Sequence, residues 1–156
     1  AAGSLILIPG LLGLAFHQPW LFPSLGPTAF LQAELPHLPS SRPYNIVVGH
    51  LIGLGAGLLA VAVLGAADAP PVLSSEDLTP ARVAACVLAV LLTMTGKVLF
   101  KASHPPAAAT TLIIALGGMK ASAYEAGTIC MSVFIVALAG EAVRRLRLRY
   151  LPGRNG

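Results

Sequence analysis

The sequence predicts an all-α integral membrane protein with four transmembrane helices and two short re-entrant half-helices, built from two internal repeats. Three observations carry that prediction. Apolar residues make up 56% of the chain and charged ones only 10%, far from the balance of a soluble domain. Four long aliphatic stretches are separated by proline- and glycine-rich breaks. Within each pair of stretches lies an apolar segment that opens on proline and is too short to cross a bilayer. At 156 residues this is a single membrane domain, 1–156, with no room for a soluble module. So small a bundle needs a second copy to enclose a pathway, so a homo-oligomer is expected in the lipid bilayer; no nucleic-acid partner is.

Gly3 to Phe16 is nearly pure aliphatic, with Pro9 placed to kink it, and ends at His17-Gln18-Pro19-Trp20, an interfacial Trp. The sequence opens on Ala1 without a Met, so an upstream piece is expected, and it has no secretory n-region of a cleaved signal peptide. Gly26 to Leu35 opens on Gly-Pro, holds Gln32 and Glu34, and breaks into Pro36, Pro39 and Pro43. It is too short and too polar to span. Tyr44 to Leu64 is the second span, with glycines at 49, 53, 55 and 57 that let a neighbouring backbone approach closely.

Ala66 to Pro80 reads as a polar loop with Asp68, Glu76 and Asp77, ending on Thr79 as N-cap and Pro80 at the first helical position. The third span, Ala81 to about Phe100, closes on Lys97 and Lys101, which share one helical face. Pro105 and Pro106 cannot continue it but suit the start of a new helix. From Pro106 to Gly117 that helix has twelve residues, roughly 18 Å, well short of a hydrocarbon core of about 30 Å. The fourth span covers about Ala121 to Val143 and runs into Arg144, Arg145, Arg147, Arg149 and Arg154. Such a cluster marks the cytoplasmic side, so both termini are expected there, in a bacterial inner membrane. Cys86 and Cys130 fall inside apolar spans and read as reduced packing residues.

Adding 79 carries Ser24 to Ser103, Pro27 to Pro106 and Ala29 to Ala108, and lays the first span on the third and the second on the fourth. The repeats run over about 1–65 and 80–144. They are parallel if each half-helix dips in and returns, and inverted if the half-helix and its extended tail complete a crossing; the sequence leaves both open. Paired interrupted segments in corresponding halves point to a transport site.

The His104-Pro105-Pro106 run with its Ala-Thr-Thr tail resembles the signature of the HPP family of small integral membrane proteins. Ser24-Leu25-Gly26-Pro27-Thr28-Ala29 and Arg42-Pro43-Tyr44-Asn45-Ile46-Val47-Val48-Gly49-His50-Leu51 resemble two further blocks of that family, so the likeness spans about Pro23 to Gly118. The chain departs at Tyr44 and Val48, where the family has a basic residue and a glycine. The resemblance implies a bundle of four transmembrane helices and, from some members, nitrite transport.

The first turn of a helix carries unpaired N–H groups and a partial positive charge, a ready site for an anion. The candidate binding residues at the two half-helix starts are Ser24, Gly26, Pro27 and Thr28, then Ser103, His104, Pro105, Pro106, Ala107 and Thr110, with Asn45, His50 and Lys97 beside them. One Gly-Pro or Pro-Pro break does no more than turn the chain. Two at matching positions suggest a shared role. By the positive-inside rule Arg42, Lys97, Lys101 and Lys120 are expected on the outer side, where they either funnel anions inward or snorkel to headgroups. A charge left in the core would cost roughly 2.5–3.5 kcal/mol.

His17, His50 and His104 lie near span ends and admit a rival, a haem-binding electron-transfer bundle with two axial histidines, which a Soret band would reveal. None recurs at helical spacing, no zinc-ligand spacing is present, and His104 reads instead as a helix cap or a hydrogen-bonding group at the site. No phosphate loop, His-Glu-x-x-His run or nucleophile elbow occurs, and Glu34, Glu125 and Glu141 sit at span ends where solvation or Arg pairing accounts for them. No catalytic residue, metal or cofactor is expected. The sequence therefore reads as a channel or carrier for a small monovalent anion, nitrite first among nitrite, nitrate, formate and chloride.

Overall fold

The computed structural model describes residues 2–150, so Arg154 of the basic cluster lies outside the described residues. Among them the chain is wholly helical, without strands: α1 (Ala2–Phe16), α2 (Leu25–Glu34), α3 (Pro43–Val63), α4 (Val72–Ser75), α5 (Pro80–Leu99), α6 (Ala107–Ala115) and α7 (Ala123–Tyr150), with a 3-10 turn at Pro39–Ser41. Prolines open α3 and α5 at their first positions, and the Thr79 hydroxyl accepts the Arg82 N–H at 3.3 Å, as the sequence suggests. α3, α5 and α7 are long and apolar enough to cross a membrane. α1 is apolar but has 15 residues, roughly 22 Å, so three of the four expected spans reach full length as helices. The expected loop after α3 contains the short α4, held because the Val72 N–H donates to the Leu116 carbonyl at 3.0 Å.

Four helix ends share one local device. α3 and α6 close on Gly65 and Gly117 at positive φ, and the Ala66 and Gly118 N–H groups reach back to the Val61 and Ile113 carbonyls. α1 and α5 close the same way, but with His17 and Lys101 in the left-handed conformation, where a side chain costs about 1–2 kcal/mol. These two strained turns occupy corresponding places. Each redirects the chain from the end of a long helix back into the bundle.

Direction follows from a few long-range contacts. The Tyr124 hydroxyl donates to Gln18 Oε1 at 2.9 Å, so the carboxyl end of α1 lies beside the amino end of α7. Arg144 Nη1 donates to the Pro36 carbonyl at 3.2 Å and Arg147 pairs with Glu34 at 3.7 Å, so α2 finishes at the opposite end of the bundle. α2 therefore does not return to the end from which its chain entered. In the other half, the Tyr44 hydroxyl donates to the Phe100 carbonyl at 2.9 Å, whereas α6 finishes against Arg82 in the first turn of α5. The stretch after α5 plus α6 likewise completes a traverse. These segments are not re-entrant.

It follows that α1 and α5 run in opposite senses and that the two helix–short helix–helix halves are inverted. Packing repeats the pattern: α2 lies on α1 and α7, α6 lies on α5 and α3, and α3 meets α7. Each short helix thus packs on the first long helix of its own half and the last of the other. Such an exchange is the pattern a two-fold relation between the halves would give.

The extra traverses also move the charges. Arg42, Lys97 and Lys101 lie at the end occupied by Arg144, Arg145, Arg147 and Arg149, not opposite it as the four-span count implied. Lys120 alone of that expected outer set lies at the other end, with Arg82, Asp68, Glu76, Asp77 and Glu125. One end is basic and the other is mainly acidic. α7 runs past the expected Val143 to Tyr150 because Glu141 pairs with Arg144 and Arg145, both at 2.6 Å and three and four residues on.

The α3 glycines work as read at three of four positions. A β-carbon on Gly49, Gly53 or Gly57 would meet His104, Ala107 or Ile114, whereas Gly55 faces open space. At Gly53 it would lie 2.7 Å from the Ala107 carbonyl oxygen, which belongs to a helix backbone and cannot yield. Gly53→Ala is expected to destabilise the protein by about 1–3 kcal/mol, read as a lowered unfolding midpoint in detergent. Gly55→Ala should leave the midpoint unchanged.

Candidate functional site

The two short helices begin deep in the bundle, and their starts meet. Ser24 precedes α2 and Thr28 lies in its first turn; Thr110 lies in the first turn of α6 and His104 precedes it. His50 joins them from α3, about 10 Å along that helix from Pro43. Each of the five side chains is at most 1% exposed. Ser24 Oγ lies 2.7 Å from Thr110 Oγ1, Thr110 Oγ1 lies 2.7 Å from His50 Nδ1, and the two Nε2 atoms of His50 and His104 lie 3.2 Å apart. Thr28 Oγ1 touches both imidazoles, at 3.0 and 3.1 Å, and donates to the Ser24 carbonyl at 2.9 Å.

Counting donors fixes the protons. His104 Nδ1 lies 2.7 Å from the Ser40 carbonyl, which only accepts, so this nitrogen carries hydrogen and the neutral ring presents a lone pair at Nε2. His50 must then carry its hydrogen on Nε2, since the other tautomer would set two lone pairs face to face. Its Nδ1 accepts from Thr110, and Thr110 accepts from Ser24. The result is one directed chain, Ser24 to Thr110 to His50 to His104 to the Ser40 carbonyl, with every member satisfied. Asn45 holds the far end, donating from Nδ2 to the Pro39 carbonyl at 2.6 Å beside Ser40.

The remaining expected site residues divide. Pro106 and Ala107 are buried and pack the start of α6 under α3, while Gly26, Pro27, Ser103 and Pro105 are exposed. Lys97 is half-buried on the last turn of α5 at the basic end. His104 does not cap α6. Nor are the helix starts open to an anion: the N–H groups of Leu25 and Gly26 donate to Phe22 and Pro23, and those of Ala107, Ala108 and Ala109 to the carbonyls three residues earlier, at 3.0–3.4 Å. Both helices begin with a tight 3-10 turn that uses the donors. The Ser40 carbonyl and the His50–His104 contact went unread, because a backbone acceptor carries no sequence signal and the two histidines are 54 residues apart.

A haem does not fit this pair. Axial nitrogens each sit about 2 Å from iron, so they stand roughly 4 Å apart with a flat macrocycle between them. Here the Nε2 atoms are at 3.2 Å and Thr28 Oγ1 bridges them. Among the described residues no group of three or more His, Cys, Asp or Glu is placed to hold a metal ion.

One cavity touches the cluster and another lies apart from it. One of about 310 Å³ lies between α3 and α7, reaches His50 and is otherwise apolar, lined by Val47, Leu51, Leu54, Cys130 and Phe134. The other, about 460 Å³ at the acidic end, is lined by Asp68, Arg82, Gly117 and Lys120. Cys86 and Cys130 are free thiols, both half-buried.

A family model described as the HPP transmembrane region matches residues 1–151, nearly the whole chain. No curated protein and no solved structure matches it. With long apolar helices and outward-facing leucines such as Leu11, Leu91 and Leu138, this match makes the chain an integral membrane protein of the HPP family.

Proposed function

We propose that the protein is a transporter, a channel or carrier and not an enzyme, for a small monovalent anion, with nitrite as its first substrate. One observation carries this reading: the starts of two short helices from opposite halves converge on a buried polar cluster in the middle of an apolar bundle. Polar groups in a membrane interior are expensive and mark pathways, and short helices from inverted halves meeting at mid-depth are how many transporters build a site. The family likeness to nitrite-transporting members supports nitrite among ions of similar size.

On this reading α1, α3, α5 and α7 cross the membrane, and the stretches leading into α2 and α6 complete two further crossings. The even count leaves both ends of the chain on one face. The basic end, with Arg42, Lys97, Lys101, Arg144, Arg145, Arg147 and Arg149, then faces the cytoplasm of a bacterial inner membrane. Its partners are the bilayer, the anion and further copies of the chain.

Nitrite uptake into proteoliposomes of the full chain tests the proposal, with nitrate, formate and chloride as competitors. Uptake faster than in empty liposomes, reduced by a subset of the competitors, is the expected result. A rate equal to that of empty liposomes would refute transport.

A further inference from the structure

Resting on the transport reading, we propose that the protein is a proton–anion symporter whose proton-binding site is the His50–His104 pair. The neutral cluster has no donor to offer an anion: Ser24, Thr110, Thr28 and both imidazoles direct their hydrogens at one another or at the Ser24 and Ser40 carbonyls. The backbone N–H groups at both helix starts are equally engaged. A bare anion arriving here would leave water for a site full of satisfied partners. Something must release a donor first.

A proton does so. The basic lone pair that can take a proton is His104 Nε2, which in the neutral cluster accepts from the Nε2–H of His50 at 3.2 Å. Protonating it makes a pair of N–H groups pointing at each other, and the contact must open. Two N–H donors then flank the Thr28 oxygen, whose own hydrogen stays on the Ser24 carbonyl, and one positive charge lies between them. That is a site for a monovalent oxyanion. The apolar cavity of about 310 Å³ beside His50 gives the rings room to separate.

The surroundings keep the proton dependent on the anion. No carboxylate contacts the pair among the described residues. α2 brings only Glu34, at its far end with Arg147; α3 brings Tyr44, bound to the Phe100 carbonyl; α7 brings Cys130 in the cavity and Glu141, which is paired with Arg144 and Arg145. α6 brings no titratable group, and α5 brings Lys97, a positive group on its last turn. An imidazolium here has no fixed counter-charge, so the anion itself must supply it. By linkage the proton then raises affinity for the anion and the anion raises affinity for the proton by the same factor. Both leave together, the pair returns to its neutral contact, and no net charge crosses.

The test uses proteoliposomes of the full chain holding a pH-sensitive dye, with the membrane potential clamped and empty liposomes subtracted. Wild type is expected to acidify the lumen by about one proton per nitrite taken up, to accelerate under an inward proton gradient, and to ignore an imposed potential. His50→Gln, checked for an unchanged unfolding midpoint, should lose the acidification. If nitrite follows the imposed potential without lumen acidification, coupling is overturned while transport stands. If no nitrite enters above the empty-liposome rate, both readings fall.

Discussion

Nitrite uptake by His104→Ala is expected to fall to the rate of empty liposomes, and Thr28→Val to lower it by roughly 5- to 150-fold, the equivalent of ~1–3 kcal/mol for a buried partner left unsatisfied. His104 is the only member of the cluster that ties it to the basic end, through the Ser40 carbonyl. Alanine removes that tie and leaves His50 Nε2 without its imidazole partner. Thr28→Val keeps the volume but removes the one oxygen in contact with both rings. Gly55→Ala, beside open space on the same helix as His50, serves as the control and should transport as wild type does. Uptake present but indifferent to both substitutions would take the cluster off the route and leave transport intact.

The largest stability effect is expected at Arg82, which is only 3% exposed and pairs with no carboxylate among the described residues. Its Nε, Nη1 and Nη2 donate to the carbonyls of Pro70, Ala115 and Ala69 at 3.2, 3.1 and 2.7 Å, strapping the end of α6 to the loop before α5. The positive group also sits at the carboxyl end of α6, where the helix dipole favours it. Gly117 completes the arrangement, since its φ is positive and a β-carbon there would collide with the guanidinium. Arg82→Ala orphans three carbonyls at once and should cost at least ~3 kcal/mol, taking the low end for each because the adjoining cavity admits water. Arg82→Lys should fall between, as one ammonium cannot reproduce the fork. Thermal unfolding in detergent measures both; a variant with alanine that melts with wild type would remove Arg82 from this role.

What could be read in the sequence was local. Pro80 and the Pro105-Pro106 pair announce helix starts, Gly117 an end, and the glycines at 49, 53, 55 and 57 a close neighbour, which all but Gly55 have. The left-handed closures at His17 and Lys101 gave no sign, because residues other than glycine rarely adopt them. Counting helices by length then hid two traverses, since half of each is extended chain; the sides assigned to Arg42, Lys97 and Lys101 were inverted as a result. The contacts that settle direction, Gln18 to Tyr124 and Pro36 to Arg144, lie 106 and 108 residues apart. A proline-started helix promises free N–H groups, but the tight first turns of α2 and α6 consume them.

The chain crosses the bundle between α1 and α2 and emerges at the other end, which brings the two short helices together from opposite faces. Cysteine labelling tests it directly. In a background with Cys86 and Cys130 replaced by alanine, His17→Cys and His37→Cys, both exposed positions, are reacted in vesicles with a membrane-impermeant maleimide, and Arg145→Cys marks the basic end. Position 37 is expected to label from the same face as position 145, and position 17 from the opposite face. Labelling of 17 and 37 from one face would mean that α2 dips in and returns, and would contradict it.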